Sequence, residues 1–304
     1  MSELTGDRFG IATIEEGDAL IPAVVTERGV RTLSGLLGAD APGSVREMVL
    51  QDWDRWCDRI AAALPAADAG GWTDEATVSF APPLPDPSNL YLAGANYWDH
   101  IKEMNVAVPD KAVDDVFHFM LPSSSLLGHG HEIHRPADVD QLDWEVELAV
   151  VIGRRAESVS TADALDYVAG YSVANDVSAR GPAMFHPIFG LRFGWAKGQA
   201  TLNPMGPTIV PARFVPDPGA LALSTHVNGE VRQESGTDQM IWSVQEQIAY
   251  LSGRAPLLPG DVILTGTPAG TAAAYDGAYL KDGDVLTSRV ESLGVLVNRV
   301  VVSF

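Results

Sequence analysis

The segment Asp143-Trp144-Glu145-Val146-Glu147-Leu148 sets carboxylates at alternate positions and runs directly into Ala149-Val150-Val151-Ile152. That context predicts a buried β-strand, along which successive side chains point to opposite faces. Asp143, Glu145 and Glu147 then share one face, with neighbours about 7 Å apart. Like charges held so close to a core are very unfavourable unless some are protonated or a cation neutralises them. A hard divalent cation bound through carboxylate oxygens is the simplest resolution. The bland alternative is a solvated face of an acidic protein. Downstream, Asp176 ends the strand-like Tyr171-Ser172-Val173-Ala174-Asn175 and is placed to be a third oxygen ligand. Arg180, just beyond it, is positioned to pair with Asp176 or to bind an anionic substrate group.

Other segments supply different chemistry. His100 and Glu103 are three residues apart in a helix-like stretch, so both face the same way. A carboxylate beside an imidazole orients it and raises its basicity, as a general base requires. Lys197 precedes Gly198, with the hydroxyl of Thr201 close behind, and a lysine near a carboxylate cluster can bridge charge or bind a substrate oxygen. Leu264-Thr265-Gly266-Thr267-Pro268 ends a strand in a turn whose N–H groups and hydroxyls can hold a carboxylate. It lacks the spacing of a phosphate loop. His129-Gly130-His131-Glu132-Ile133-His134 looks like a zinc site, but its spacing reads better as a surface turn.

The elements that must position these groups fall into two parts. Residues 8–33 read as short strands around the turn Glu15-Glu16-Gly17-Asp18. Ser44 with Glu47 reads as a capping box, opening a helix whose stripe is Val49, Trp53, Trp56, Ile60 and Ala63. Pro65 ends that helix, and the proline-rich 81–87 reads as a linker. A boundary near residue 85 divides a small N-terminal α+β domain, 1–85, from a larger domain, 86–304. In the second part, strands are expected at 148–152, 167–173, 223–227, 262–264, 285–290 and 295–302, with helices only at 162–165 and 244–250. The fold class is α+β and mostly β, not a doubly wound α/β sheet.

Composition narrows the function. With a net charge of −20, the chain should repel nucleic acid and anionic membrane surfaces. No apolar run reaches the roughly 20 residues of a membrane helix. Cys57 is the single cysteine, so no intrachain disulfide can form, and it reads as a core thiol in a reducing compartment. With no signal-peptide pattern at the start, a cytoplasmic protein is expected.

Taken in order, these segments resemble the fumarylacetoacetate hydrolase family. They are Ala95-Asn96-Tyr97-Trp98-Asp99-His100 with Glu103, Pro122-Ser123-Ser124-Ser125, the acidic run from Asp143, Asn175-Asp176-Val177-Ser178-Ala179-Arg180, Lys197-Gly198, and Pro259-Gly260-Asp261 through Gly270. Each alone is weak, and the ordered set is specific. The set closely resembles the bacterial members that act on acylpyruvate-like substrates. The resemblance implies a mixed β-roll catalytic domain, a homodimer, and Mg²⁺ or Mn²⁺ held by Glu145, Glu147 and Asp176. It implies a small-molecule 1,3-dicarbonyl or 2-oxo acid whose carbon–carbon bond is hydrolysed through a metal-bound enolate. His100, oriented by Glu103, would activate water, with Lys197 in a catalytic role. Arg180, Thr201, Gly266 and Thr267 would contact substrate. Isomerisation, tautomerisation or decarboxylation of a 2-oxo dicarboxylate is the alternative reaction, and a non-catalytic, metal-stabilised binding protein a third reading.

The chain departs from the family pattern at Leu121, Ala183 and Ala200, where relatives carry lysine, glutamine and aspartate. Met184, Phe185, Pro187, Ile188, Phe189, Phe193 and Trp195 make the loop after Arg180 unusually apolar. A bulkier or more apolar substrate than a small acylpyruvate is the expectation.

Overall fold

The computed structural model describes residues 3–68 and 70–302, with the Ala183 side chain outside the described set. The centre of the molecule is the strand Val146–Ile152, buried at every position. Its even-numbered residues Val146, Leu148, Val150 and Ile152 enter one core cluster, and Ala149 and Val151 enter another. A strand covered on both faces has no polar side to show, which explains its unbroken apolar sequence.

Val146–Ile152 lies inside a ten-stranded mixed sheet. It pairs antiparallel with Val168–Asn175 on one side and with Val262–Leu264 on the other. Val262–Leu264 in turn runs parallel to Leu90–Gly94, which pairs with Phe117–Leu121. A second sheet, of five strands, runs in the order Glu230–Gly236, Ala222–Val227, Val285–Val290, Gly294–Val302 and Glu132–Arg135. Leu223, Val290 and Leu296 of the second sheet share a core cluster with Leu148 and Val150 of the first. The mostly-β, mixed-sheet reading agrees with this architecture. The strands expected at 262–264 and 285–290 have those bounds, and the helix expected at 244–250 is Val244–Ser252.

The N-terminal segment joins the same large sheet. Gly10–Glu16 pairs with Ala19–Thr26 across the predicted turn and with Asn203–Pro211 on its other edge, Ile11 opposite Ile209. Residues on both sides of position 85, such as Phe9, Ile11 and Trp53 with Leu90, Val151 and Val262, share one core cluster. The proline-rich 81–87 is packed rather than loose, with Ala81, Pro83 and Leu84 buried. Helix Val45–Ala63 covers this cluster with Val49, Trp53, Trp56 and Ile60, whereas Ala63 is only half-buried. Ser44 caps it by accepting from Glu47 N at 3.0 Å. The Glu47 carboxylate, however, accepts from Gly43 N at 2.6 Å, so the reciprocal half of the box is shifted by one residue. Asp52 leaves helical geometry (φ −172°, ψ 93°) and its carboxylate restarts the helix by accepting from Arg55 N at 3.1 Å. Among the described residues, no helix is long and apolar enough to cross a membrane.

Ile11 is fully buried where the N-terminal strand meets the rest of the sheet. Ile11→Ala is expected to cost about 2–5 kcal/mol and to shift a single unfolding transition followed by far-UV circular dichroism and tryptophan fluorescence. A separate, earlier transition carrying the whole loss would show instead that the first 85 residues melt alone.

Candidate active site

The acidic run is not one continuous strand. Leu142–Asp143 pairs with Ser178–Ala179, the chain breaks at Trp144 and Glu145, and Val146–Ile152 then pairs with Val168–Asn175. The simple face-sharing of Asp143, Glu145 and Glu147 is therefore replaced by a break that turns all three inward. The break is held by hydrogen bonds. Trp144 Nε1 donates to Gly270 O at 2.9 Å, Glu145 N to Asn175 Oδ1 at 3.0 Å, and Val146 N to Gln233 Oε1 at 3.0 Å. Asp176 N donates back to Glu145 O at 2.8 Å, which ties the two acidic segments together. Carboxylate oxygens of Glu145, Glu147 and Asp176 consequently lie within 4.8 Å of one another, and all three residues are buried.

Two cations share this cluster. Arg180 Nε donates to Asp143 Oδ2 at 2.9 Å, and its guanidinium also bonds Glu145. Its partners are thus Asp143 and Glu145 rather than Asp176. Lys197 Nζ donates to Glu145 Oε2 at 2.6 Å and also bonds Asp176. Fully ionised, the four buried carboxylates (Asp143, Glu145, Glu147 and Asp176) would face two cations with a deficit of two charges. Burial, with the Asp176 and Glu145 charges added, pushes Glu147 well above the usual carboxylate range. Burial also raises Asp176 to about 7, against the pull of Lys197. At Glu145 burial acts the same way, but Lys197 and Arg180 outweigh it and bring the group down to about 2. Asp176 Oδ1 is buried without a hydrogen-bond partner. An oxygen-only donor set, an orphaned carboxylate oxygen and a deficit of two charges fit one hard divalent cation.

The candidate base, His100, sits on helix Trp98–Met104. His100 Nδ1 lies 3.3 Å from Glu103 Oε1. Glu103 is fixed from behind, accepting from Gly270 N at 2.6 Å and Thr271 Oγ1 at 2.8 Å. Burial works to raise the Glu103 carboxyl, but the bonds from His100, Gly270 and Thr271 outweigh it and lower it. An ionised carboxylate only accepts, so Nδ1 carries the proton in that contact and Nε2 is left as the basic nitrogen. Asn96 anchors the preceding turn, its side chain donating to Trp242 O at 3.0 Å and Thr265 O at 2.8 Å. His100, Glu145, Arg180, Lys197 and Thr267 line one cavity of about 380 Å³.

Other expected contacts fall elsewhere. Gly266 N does hold a carboxylate, but it is that of Glu147, at 2.6 Å, so Gly266 positions a metal-ligand candidate rather than substrate. Its φ is +97°, and a Cβ there would lie 2.8 Å from Asn96 Cβ, so glycine is required. Thr267 donates to Val146 O at 2.9 Å and accepts from Gln233 Nε2 at 2.9 Å. Thr201 is not brought into the site, its hydroxyl accepting from His134 N at 2.8 Å. Leu121 is in the core and Ala200 is exposed, and neither lines the cavity. The expectation at Ala183 lies outside the described side chains. The histidine-rich turn is no metal cluster among the described residues, since His131 pairs with Glu15 at 3.2 Å and His129 Nδ1 accepts from Val297 N at 3.2 Å. Gln233 and Asn175 hold the acidic segments in place, yet neither announces itself by spacing.

The family model described as fumarylacetoacetate (FAA) hydrolase C-terminal matches residues 89–301. The human mitochondrial oxaloacetate tautomerase FAHD2B is 36% identical over 305 residues, covering 98% of this chain and 86% of that protein. The Escherichia coli 4-hydroxyphenylacetate degradation bifunctional isomerase/decarboxylase is 41% identical over 221 residues, 72% of this chain and 48% of that one. Among solved structures, maleylpyruvate hydrolase from Sphingobium sp. SYK-6, in complex with manganese(II) ion and pyruvate, superposes with a TM-score of 0.78 at 28% identity, over 97% of this chain and 100% of that chain.

Removing the Lys197 ammonium leaves Glu145 and Asp176 buried with less compensation. Lys197→Met is expected to destabilise the metal-free protein by about 3–5 kcal/mol, and Mn²⁺ should recover more stability in this variant than in the wild type. Thermal denaturation in EDTA and in Mn²⁺ measures both. An unchanged midpoint in EDTA would mean that the ammonium does not hold the cluster together.

Proposed function

Since this chain belongs to the fumarylacetoacetate hydrolase family, we propose that it is a divalent-metal-dependent hydrolase cleaving a carbon–carbon bond in a 1,3-diketone or acylpyruvate-type substrate. The observation that carries this reading is that His100, paired with Glu103, lines one cavity with Glu145 of the carboxylate cluster. Mg²⁺ or Mn²⁺, held by Glu145, Glu147 and Asp176, would supply Lewis-acid stabilisation of the negative charge that develops on substrate oxygen. The Mn²⁺- and pyruvate-bound Sphingobium hydrolase supports pairing such a site with a 2-oxo acid product.

The protein's own groups account for the proton transfers. Glu103 keeps Nδ1 of His100 protonated, so Nε2 takes a proton from water as the hydroxide adds to the acyl carbonyl. The imidazolium that results lies against the Glu103 carboxylate, which lowers its energy. Once the carbon–carbon bond breaks, the same proton goes to the departing carbon, giving a carboxylic acid and a ketone, which for an acylpyruvate is a 2-oxo acid. Lys197 at the cavity wall is a donor for an oxygen that gains charge, and Thr267 lines the same cavity. Arg180 acts by fixing Asp143 and Glu145.

A second reading, keto–enol tautomerisation of a 2-oxo dicarboxylate, is favoured by the near full-length similarity to the human oxaloacetate tautomerase. It uses the same base without consuming water.

Turnover of acylpyruvates in H₂¹⁸O separates the two. Hydrolysis puts label into the carboxylic acid product, whereas enol decay without labelled acid would establish the tautomerase reading. His100→Gln and Glu103→Gln should each lower kcat by about 10²–10⁴-fold, and EDTA should abolish turnover. Full activity in His100→Gln would remove the proposed base.

A further inference from the structure

One side of the cavity is polar and the other is almost wholly apolar. The apolar side is built by Met104 at the end of the His100 helix and Val106 just beyond it, Phe117 and Phe119 on one face of strand Phe117–Leu121, and Leu191 and Phe193 from the segment after Arg180. Phe117 and Phe119 are two residues apart and so project together, while His118 between them turns away to Gln247, 3.3 Å distant. The rings of Phe119 and Phe193 stack at 4.6 Å and 20°, and Phe117 meets Phe193 at 5.4 Å. Gly94 makes room for this wall, since a Cβ there would lie 2.7 Å from Phe117 Cδ1. The Phe119 ring is centred 6.0 Å from Lys197 Nζ, so the aromatic surface begins beside the acidic cluster. It continues to the cavity mouth, where Phe117 and Leu191 are each 50% exposed. Of the apolar loop, Met184 and Phe193 line the cavity, while Phe185, Ile188, Phe189 and Trp195 stay outside it.

Cations tell the same story. Arg180 and Lys197 are the two that line the cavity: Arg180 is held by Asp143 and Glu145, and Lys197 by Glu145 and Asp176, which leaves it one N–H, the one assigned above to the oxo-acid head. Arg192, in the same loop, lies over Trp195 at 5.6 Å and does not line the cavity. A second carboxylate on the substrate would thus be pressed against ring carbons with no partner, a costly desolvation. An apolar group there would instead cover side chains that are otherwise half-wet.

We infer that the substrate joins its oxo-acid head to an apolar aryl or alkyl tail seated on Phe117, Phe119, Leu191 and Phe193, and not to a second carboxylate. This inference rests on the proposed oxo-acid reading of the same site.

Three unreactive acids with a common oxalyl head test it by calorimetry on the Mn²⁺-loaded protein. Oxalate reports the head alone, N-phenyloxamate adds an aromatic tail, and N-oxalylglycine adds a carboxylate tail. N-phenyloxamate is expected to bind about tenfold or more tighter than N-oxalylglycine, equivalent to about 1.4 kcal/mol. Leu191→Arg, on the half-exposed rim, should shrink or reverse that ratio. Equal or tighter binding of N-oxalylglycine by the wild type would overturn the inference. So would oxalate binding to which the phenyl group adds nothing, an outcome that leaves the oxo-acid reading intact. Absence of binding by all three would overturn both.

Discussion

Four buried carboxylates held against two cations are the constraint around which this molecule is arranged. Such a cluster is tolerated only where each oxygen is directed at a donor or a cation, so the surrounding backbone must be placed to do this. The strand break at Trp144 and Glu145 follows from it. A continuous ladder would commit the amides of Glu145 and Val146 to a neighbouring strand. Here they are turned to the side chains of Asn175 and Gln233. Gly266 serves the same end by bringing an N–H to Glu147 where any Cβ would collide.

The candidate base is brought to that cluster on a different kind of support. Glu145, Glu147 and Asp176 are set by buried strands and the short break between them, whereas His100 and Glu103 lie on a seven-residue helix. So short a helix is marginal alone. It is tied down by Asn96 at its entry, by Asp99 Oδ2 accepting from Ser235 Oγ at 2.8 Å, and by Glu103 on the 270–271 turn. The Trp144 indole binds Gly270 O in that same turn, so the strand break and the imidazole's partner share one anchor. This places His100 in one cavity with Glu145 of the oxygen-donor cluster, the arrangement that the proposed enolate chemistry requires.

Much of this was legible in the sequence where the signal is local. The apolar run after Glu147, the helix stripe from Val49 to Ile60 and the three-residue step from His100 to Glu103 each fix a periodicity, and the structure follows them. The alternating carboxylates identified the cluster because like charge in an apolar context demands an explanation. What sequence left open depends on partners far along the chain. Arg180 is near Asp176 in sequence yet bonds Asp143 and Glu145. Gly266 carries the right backbone for a carboxylate but cannot say whose, and Thr201 is close to Lys197 in sequence but turned to His134. Gln233 gave no signal because its role exists only once the second sheet lies against the first. The proline-rich 81–87 carries a linker composition, yet its side chains are drawn into the core by the sheet that spans it.

The proposed reaction requires Glu145, Glu147 and Asp176 together to hold one divalent cation. Electron paramagnetic resonance of added Mn²⁺, read as free against bound ion, tests it directly. About one bound Mn²⁺ per chain, displaced by Mg²⁺ and lost in a folded Glu147→Gln variant, is the predicted result. Binding that survives Glu147→Gln unchanged, or a folded wild-type protein that leaves all the Mn²⁺ free, would contradict it.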